Sequence, residues 1–206
     1  MKEQYAASFA NFGFIGATLN KSELTATLAE MTAIENDFST AEEIHLGHAG
    51  NLKQEYVLHN CLPELEKILL PLCDQYRHAF PYERNNKSFV LKSAWINFQK
   101  KHEFFQPHTH NGVFSFALWL KVPFLIKDEI EFCSKEKHLV STVASFNFLY
   151  TDSLGRITPH PIPVDRTYEN KIVVFPGDMT HYVNPFYTSD EYRVVVSGNI
   201  VYEDKV

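Results

Sequence analysis

Three histidines and one arginine are the residues of this sequence whose type and spacing could do chemistry. His108 and His110 stand one residue apart in QPHTHNGVFSFALW (106–119), His181 follows the turn sequence Pro176, Gly177, Asp178, and Arg193 opens the last apolar stretch. In extended backbone, residues i and i+2 point to one face, so His108 and His110 can turn both imidazoles to a single ion. The pair alone is a weak motif in a chain that holds 10 His, and surface or capping histidines are the bland alternative for all three. In RVVVSGNI (193–200), Arg193, Val195, Ser197 and Asn199 share one face, and Val194, Val196 and Ile200 share the other. With the apolar face laid on helices, the Arg193 face lines a cavity. A guanidinium buried there calls for an anion, and a carboxylate held bidentately is the usual partner. The competing assignment makes Arg193 a strand-edge residue paired with Asp190 or Glu191.

Smaller signals surround these four. Trp95 and Asn97 share a face of their own strand and border a bound cosubstrate or substrate, or, for Trp95, fill plain core. Asp178, three residues before His181, reads as a turn former and only weakly as a carboxylate behind the ligands. Gly47 and Gly50 spoil a helix around His45 and His48, which read as loop residues. His160 lies among three prolines in GRITPHPIPVDR (155–166), an edge or loop bordering the substrate pocket. Lys100, Lys101, Lys121 and Lys127 read as solvated charges.

The elements that must position these residues change character along the chain. In 22–31, Leu24, Leu28 and Met31 fall at helical spacing behind a Ser22 N-cap. In 60–80, Leu65, Ile68, Leu69, Leu72, Tyr76 and Phe80 form a second stripe, with Pro63 tolerated in the first turn and Pro71 kinking or splitting the helix. From about residue 88 the period becomes two. The spacing predicts strands over Ser88–Lys100, Phe114–Val122, Glu129–Phe132, Ser145–Tyr150, Ile157–Ile162, Lys171–Phe175, His181–Val183 and Tyr192–Tyr202. A single domain follows, 1–206, in which 1–87 is mainly helical support and 88–206 a β-core built as a sandwich or barrel.

Composition excludes some functions. The chain has 206 residues, enough for a sizeable core, and its 17 Phe and 10 Tyr tilt it towards β-structure. A net charge of −6 offers no bulk attraction to nucleic acid or an anionic membrane. Three widely spaced cysteines, Cys61, Cys73 and Cys133, form neither a disulfide framework nor a zinc knuckle. With no spanning apolar run or signal h-region, the expectation is a cytoplasmic protein. Nothing indicates its oligomeric state.

The stretches AWINFQKKHEFFQPHTHNGVFSFALWLKVP (94–123), VFPGDMTHYVNPF (174–186) and RVVVSGNI (193–200) occur in that order. Together they resemble the 2-oxoglutarate- and Fe(II)-dependent oxygenases, and more closely a small oxygenase-like family of phages and marine bacteria. The likeness runs over roughly residues 88–202, with a weaker match in HAGNLKQEYVL (48–58). It implies an α+β, mainly β fold: a double-stranded β-helix of jelly-roll or cupin type, N-terminal helices packed on one sheet, and iron at one open end. Carried over by position, His108 is the first ligand, His181 the distal ligand, and Arg193 the cation for the C5 carboxylate of 2-oxoglutarate.

The sequence departs from the superfamily at His110, where Asp or Glu is usual. A neutral imidazole there leaves an Fe(II) site one charge more positive. His110 either ligates directly, the option favoured by the same-face spacing, or stands behind a water, or the metal is not iron. Val195 occupies the Ser position of the usual Arg-x-Ser pair, which leaves Ser197 or Asn199 to assist Arg193. The implied activity is that of a dioxygenase using Fe(II), 2-oxoglutarate and O2. It couples oxidative decarboxylation to succinate and CO2 with C–H hydroxylation of an unidentified substrate, His108, His110 and His181 forming the reactive centre. The alternatives are a cupin-like three-His metal protein that works without 2-oxoglutarate, as isomerase, dioxygenase or ligand binder, and an accessory β-sandwich with incidental histidines.

Overall fold

Alternating apolar residues after position 88 build two antiparallel sheets, which face each other across a core of aromatic side chains. The computed structural model describes residues 11–44, 50–80, 87–136 and 142–203. Its strands are β1 (Ile15–Thr18), β2 (Glu55–Leu58), β3 (Phe89–Gln99), β4 (Phe105–His108), β5 (Phe114–Lys121), β6 (Phe146–Thr151), β7 (Ile157–Ile162), β8 (Lys171–Pro176), β9 (His181–Val183) and β10 (Arg193–Tyr202). One sheet has the order β1-β8-β5-β10-β3-β2 and the other β4-β9-β6-β7, every pair antiparallel. This is the expected two-sheet, mainly β architecture. The helical N-terminal part also contributes β1 and β2 to the larger sheet, which its helical stripes do not foretell.

The two faces of β10 follow its sequence. Val194, Val196 and Ile200 join the core under α2 (Leu62–Ala79), with Leu65, Leu69 and Tyr76 wholly buried. Each such leucine contributes about 2 kcal/mol relative to exposure. Val195 belongs instead to the second core, between the sheets, with Trp119 of β5, Phe146 and Phe148 of β6 and Phe175 of β8. Helix α2 is not split at Pro71, because Pro71 lies on its exposed side, where the carbonyl left without an N–H partner is open to water.

Helix α1 (Thr25–Asn36) begins later than its stripe suggests, and Ser22 is not its cap. Ser22 sits in a short 3₁₀ turn (Lys21–Glu23) closed by an Asn20–Glu23 capping box. The first free N–H groups of α1, on Ala26 and Thr27, are taken by Glu64 of α2, each at 2.9 Å. Glu30 of α1 reciprocates, accepting from the N–H groups of His59, Asn60 and Cys61 at 2.8–3.0 Å before α2.

The strand expected over Glu129–Phe132 is a helix, α3 (Ile126–Lys135). The run Glu-Ile-Glu-Phe alternates, yet Ile126, Ile130 and Cys133 also satisfy a helical period. Tertiary partners decide the outcome: Asp165 accepts from Ile126 N at 3.2 Å, and buried Glu129 accepts from the N–H groups of Tyr187 and Thr188 at 2.8 and 2.9 Å. The proline-rich β7 is an edge strand, the place where a missing N–H costs least. Among the described residues no helix is long and apolar enough to cross a membrane.

Candidate metal centre and its cavity

His108 and His181 meet because β4 and β9 pair with those two residues directly opposed, so both rings stand on one face. Their ring centroids are 4.3 Å apart. His110 reaches the same place by another route. β4 ends at His108, so the extended run assumed from the His-x-His spacing stops two residues short of His110. The backbone beyond it is clamped by the turn that precedes β9: His110 N donates to Gly177 O at 2.7 Å, and Gly177 N to Val113 O at 3.0 Å. Gly177 permits this approach, because a Cβ there would lie 2.2 Å from Gly112 O. The turn sequence therefore serves the site through its backbone, while Asp178 is exposed and outside the cavity.

The three imidazoles offer ligand atoms that all lie within 4.8 Å of one another. His108 Nδ1 donates to Gln106 O at 2.7 Å and His181 Nδ1 to Met179 O at 3.0 Å, which leaves each Nε2 as a bare lone pair. His110 Nε2 stands 3.2 Å from His181 Nε2. Two nitrogens bound to one ion at about 2.0–2.1 Å, with an angle between 90° and tetrahedral, sit roughly 2.8–3.4 Å apart. The observed separation fits a shared cation. Burial pushes the His110 imidazole down to about 4 and the His181 imidazole to about 3, with the neighbouring His108 adding to both shifts. Burial lowers His108 as well, against the Gln106 carbonyl. All three rings are thus neutral near pH 7, the form that ligates a metal. The donor set is all imidazole, which suits Fe, Zn, Cu or Ni. No carboxylate joins the cluster among the described residues.

A cavity of about 340 Å³ opens beside the histidines. The structure brings Trp95, Asn97, Arg193, Val195 and Ser197 to its wall with all three histidines, while Asn199 is not in the lining. The Trp95 ring centroid is 5.4 Å from that of His110. Arg193 is 1% exposed and is not the surface ion pair considered as the alternative. Lys101 holds Asp190 at 2.8 Å, and Lys121 holds Glu191 at 3.5 Å. Arg193 Nε and Nη2 both donate to Gln99 Oε1, at 3.0 and 2.7 Å, Nη1 to Ala144 O at 2.7 Å and Nη2 also to Asn184 O at 2.9 Å. Every one of these acceptors is neutral. Burial lowers the guanidinium to about 9, opposed by the charge of Glu129, so it remains a cation at neutral pH.

Among the wall residues that sequence reasoning missed, Gln99, Glu55 and Trp119 stand out. Gln99 fixes the guanidinium, and its signal was the i, i+2 row Trp95, Asn97, Gln99. Glu55 and Trp119 also line the cavity, opposite Asn97 and Val195 respectively, and only strand pairing reveals them. His45 and His48 lie outside the described residues. His160 is exposed on β7, its ring 6.0 Å from Phe14, away from the metal cluster. Of the lysines expected to be solvated, Lys100 lies over the Tyr192 ring at 3.8 Å and Lys121 contacts Glu35 at 3.0 Å.

The fold and site define a double-stranded β-helix with three histidines at the edge of its inner cavity. No protein-family model and no curated protein matches the sequence. Solved structures do match. The chain is similar to a prolyl-4-hydroxylase from Pseudomonas putida, 14% identical, covering 95% of this chain and 94% of that one, with a TM-score of 0.54. It is similar to a prolyl hydroxylase from Trichoplax adhaerens, solved with a hypoxia inducible factor peptide, at 13% identity, 93% and 84% coverage and TM-score 0.55. SnoK, a non-heme alpha-ketoglutarate-dependent carbocyclase from nogalamycin biosynthesis, matches at 14% identity, 94% and 80% coverage and TM-score 0.56. At these identities the likeness establishes the fold.

Proposed function

We propose that the protein is a 2-oxoglutarate-dependent non-haem Fe(II) dioxygenase, and that it hydroxylates a C–H bond of its substrate with release of succinate and CO2. The observation that carries this reading is Arg193: a buried guanidinium with only neutral acceptors, in the cavity that holds the three histidines. A buried cation that donates to no carboxylate among the described residues is costly, and a carboxylate entering the cavity would supply that partner. His108, His110 and His181 would hold the iron through neutral imidazoles. Bound Fe(II) would supply the oxygen and electron-transfer chemistry that side chains lack. Gln99 fixes the plane of the guanidinium, Ser197 offers a hydroxyl to the bound carboxylate, and Val195, Trp119 and Phe146 keep that end dry. The three fold neighbours, two of them hydroxylases and one alpha-ketoglutarate-dependent by name, support the reading. So does the ordered resemblance of 94–123, 174–186 and 193–200 to the small oxygenase-like family.

His110 favours the second reading, a cupin-like three-His metal protein that works without 2-oxoglutarate, because an all-imidazole set is what such a site uses. One experiment separates them. Anaerobic Fe(II) and 2-oxoglutarate should give wild type a weak visible charge-transfer band, which Arg193→Ala loses while still binding metal. Metal binding by wild type with no band and no 2-oxoglutarate affinity gives the site to the second reading.

A further inference from the structure

Strand pairing arranges the inner wall of the cavity in rows. Gln99 of β3 stands opposite Arg193 of β10, Asn97 opposite Val195, and Trp95 opposite Ser197. On the other side of β10, Trp119 of β5 extends the second row and Ala117 the third. All of these residues line the cavity. Opposed residues of antiparallel strands share a face, and two residues of strand rise set successive rows roughly 7 Å apart. The first row carries the guanidinium. The third reaches the histidines, the Trp95 ring centroid lying 5.4 Å from that of His110. Asn97 therefore stands between the guanidinium and the metal cluster.

Asn97 is 6% exposed, and among the described residues its Oδ1 is buried with no hydrogen-bond partner. An amide oxygen kept dry and unbonded destabilises the fold, a cost that leucine, with the same branching, would not carry. A 2-oxoglutarate bound at Arg193 cannot relieve it, because its carboxylates and keto oxygen only accept and its two methylenes are apolar. The terminal torsion of asparagine is broad and twofold, so the amide can turn either end to the cavity. Both ends are met by a group that carries N–H and C=O side by side, as a primary carboxamide or a lactam does. A trans peptide bond points the two in opposite directions and meets one end only. Trp95, one row nearer the metal, offers a flat indole against which such a planar group packs.

We infer that Asn97 is a specificity-determining residue for the primary substrate, and that it selects a small neutral molecule by a carboxamide or lactam edge held beside Trp95. The inference rests on the 2-oxoglutarate-dependent reading, which gives the Arg193 row to the cosubstrate and leaves the Asn97 amide to the substrate.

The test is binding to the Fe(II)-loaded full chain under nitrogen, with and without 2-oxoglutarate, read by ligand-observed NMR titration. The probes are benzamide, acetophenone, which has a methyl in place of the NH2, and N-methylbenzamide, whose N–H and C=O are trans. Benzamide is expected to bind roughly three- to tenfold more tightly than either of the others. Asn97→Leu should abolish that preference and leave 2-oxoglutarate affinity unchanged. In urea, the unliganded Asn97→Leu protein should unfold at the wild-type midpoint or above it, the opposite of what losing a structural hydrogen bond does. Absent or equal binding of benzamide and acetophenone overturns the inference, as does a preference that survives in folded Asn97→Leu. N-methylbenzamide binding as tightly as benzamide overturns it too, since a single N–H then suffices. A lowered urea midpoint assigns Asn97 to the fold, and a loss of 2-oxoglutarate affinity in Asn97→Leu assigns it to the cosubstrate; either result removes the inference. The 2-oxoglutarate titration of wild type keeps the two readings apart. Cosubstrate binding without amide preference removes only this inference, and amide preference without cosubstrate binding removes only the dioxygenase assignment.

Discussion

The helical layer and the cavity both bury polar groups, and they treat them oppositely. Under α1 and α2, Glu30 and Glu64 are each saturated by backbone N–H donors of the other helix's start, and Glu129 closes the loop at Tyr187 and Thr188 in the same way. In the cavity, among the described residues, Arg193 donates to no carboxylate and Asn97 Oδ1 has no donor. Polar groups that hold the fold close their hydrogen bonds internally. Those left open in a buried wall leave bonding capacity for something that binds.

The largest effect expected from breaking this contrast is at the histidines. His181→Ala should lower metal affinity by roughly 100-fold or more, beyond what outer-shell changes cause, as measured by metal titration. Its urea midpoint should move less than that of a helix-layer variant. Glu30→Ala is the converse: three N–H groups lose their acceptor, which should cost about 2–4 kcal/mol in urea unfolding and leave metal affinity unchanged.

The helix layer also predicts an acid limb. Burial raises the Glu30 and Glu64 carboxyls, but their N–H donors outweigh it, so both lie below the usual 4.5. A carboxyl depressed in the folded state contributes stability that is present above its unfolded value and lost as pH falls through the folded one. Urea unfolding between pH 6 and 3 should therefore show stability falling below about pH 4.5, less steeply in Glu30→Ala.

Two smaller effects sharpen the cavity side. Gly177→Ala places a Cβ against Gly112 O and displaces the backbone that carries His110, with an expected loss of roughly tenfold in metal affinity by the same titration. On the proposed 2-oxoglutarate-dependent reading, Ser197→Ala should weaken 2-oxoglutarate by roughly two- to tenfold, whereas Asn199→Ala, outside the lining, should leave it unchanged by calorimetry.

Much of the site was legible because strand periodicity is local. The alternation in 193–200 separates the residues packed under α2 from those in the wall, and the placement of Arg193 and Ser197 follows from it. Asn199 lies on the same face by parity, but β10 shifts register between Asn199 and Ile200 against β3, and the cavity ends before it. Glu129–Phe132 fits two periods, and only Asp165 and the loop at 187–188 select the helix. The cap of α1 was illegible for a related reason: it comes from Glu64, 37 residues from Thr27.

By itself the sequence determined the strand pattern, the two faces of β10, and the residue types that can hold a cation or an anion, all of which depend on neighbours a few positions apart. Only the tertiary structure decided that His110 joins His108 and His181 through a backbone clamp at Gly177, that Gln99 fixes Arg193, and that Glu55 faces the same cavity. Those relations are set by strand pairing and close backbone approach between segments distant along the chain, which no local period records.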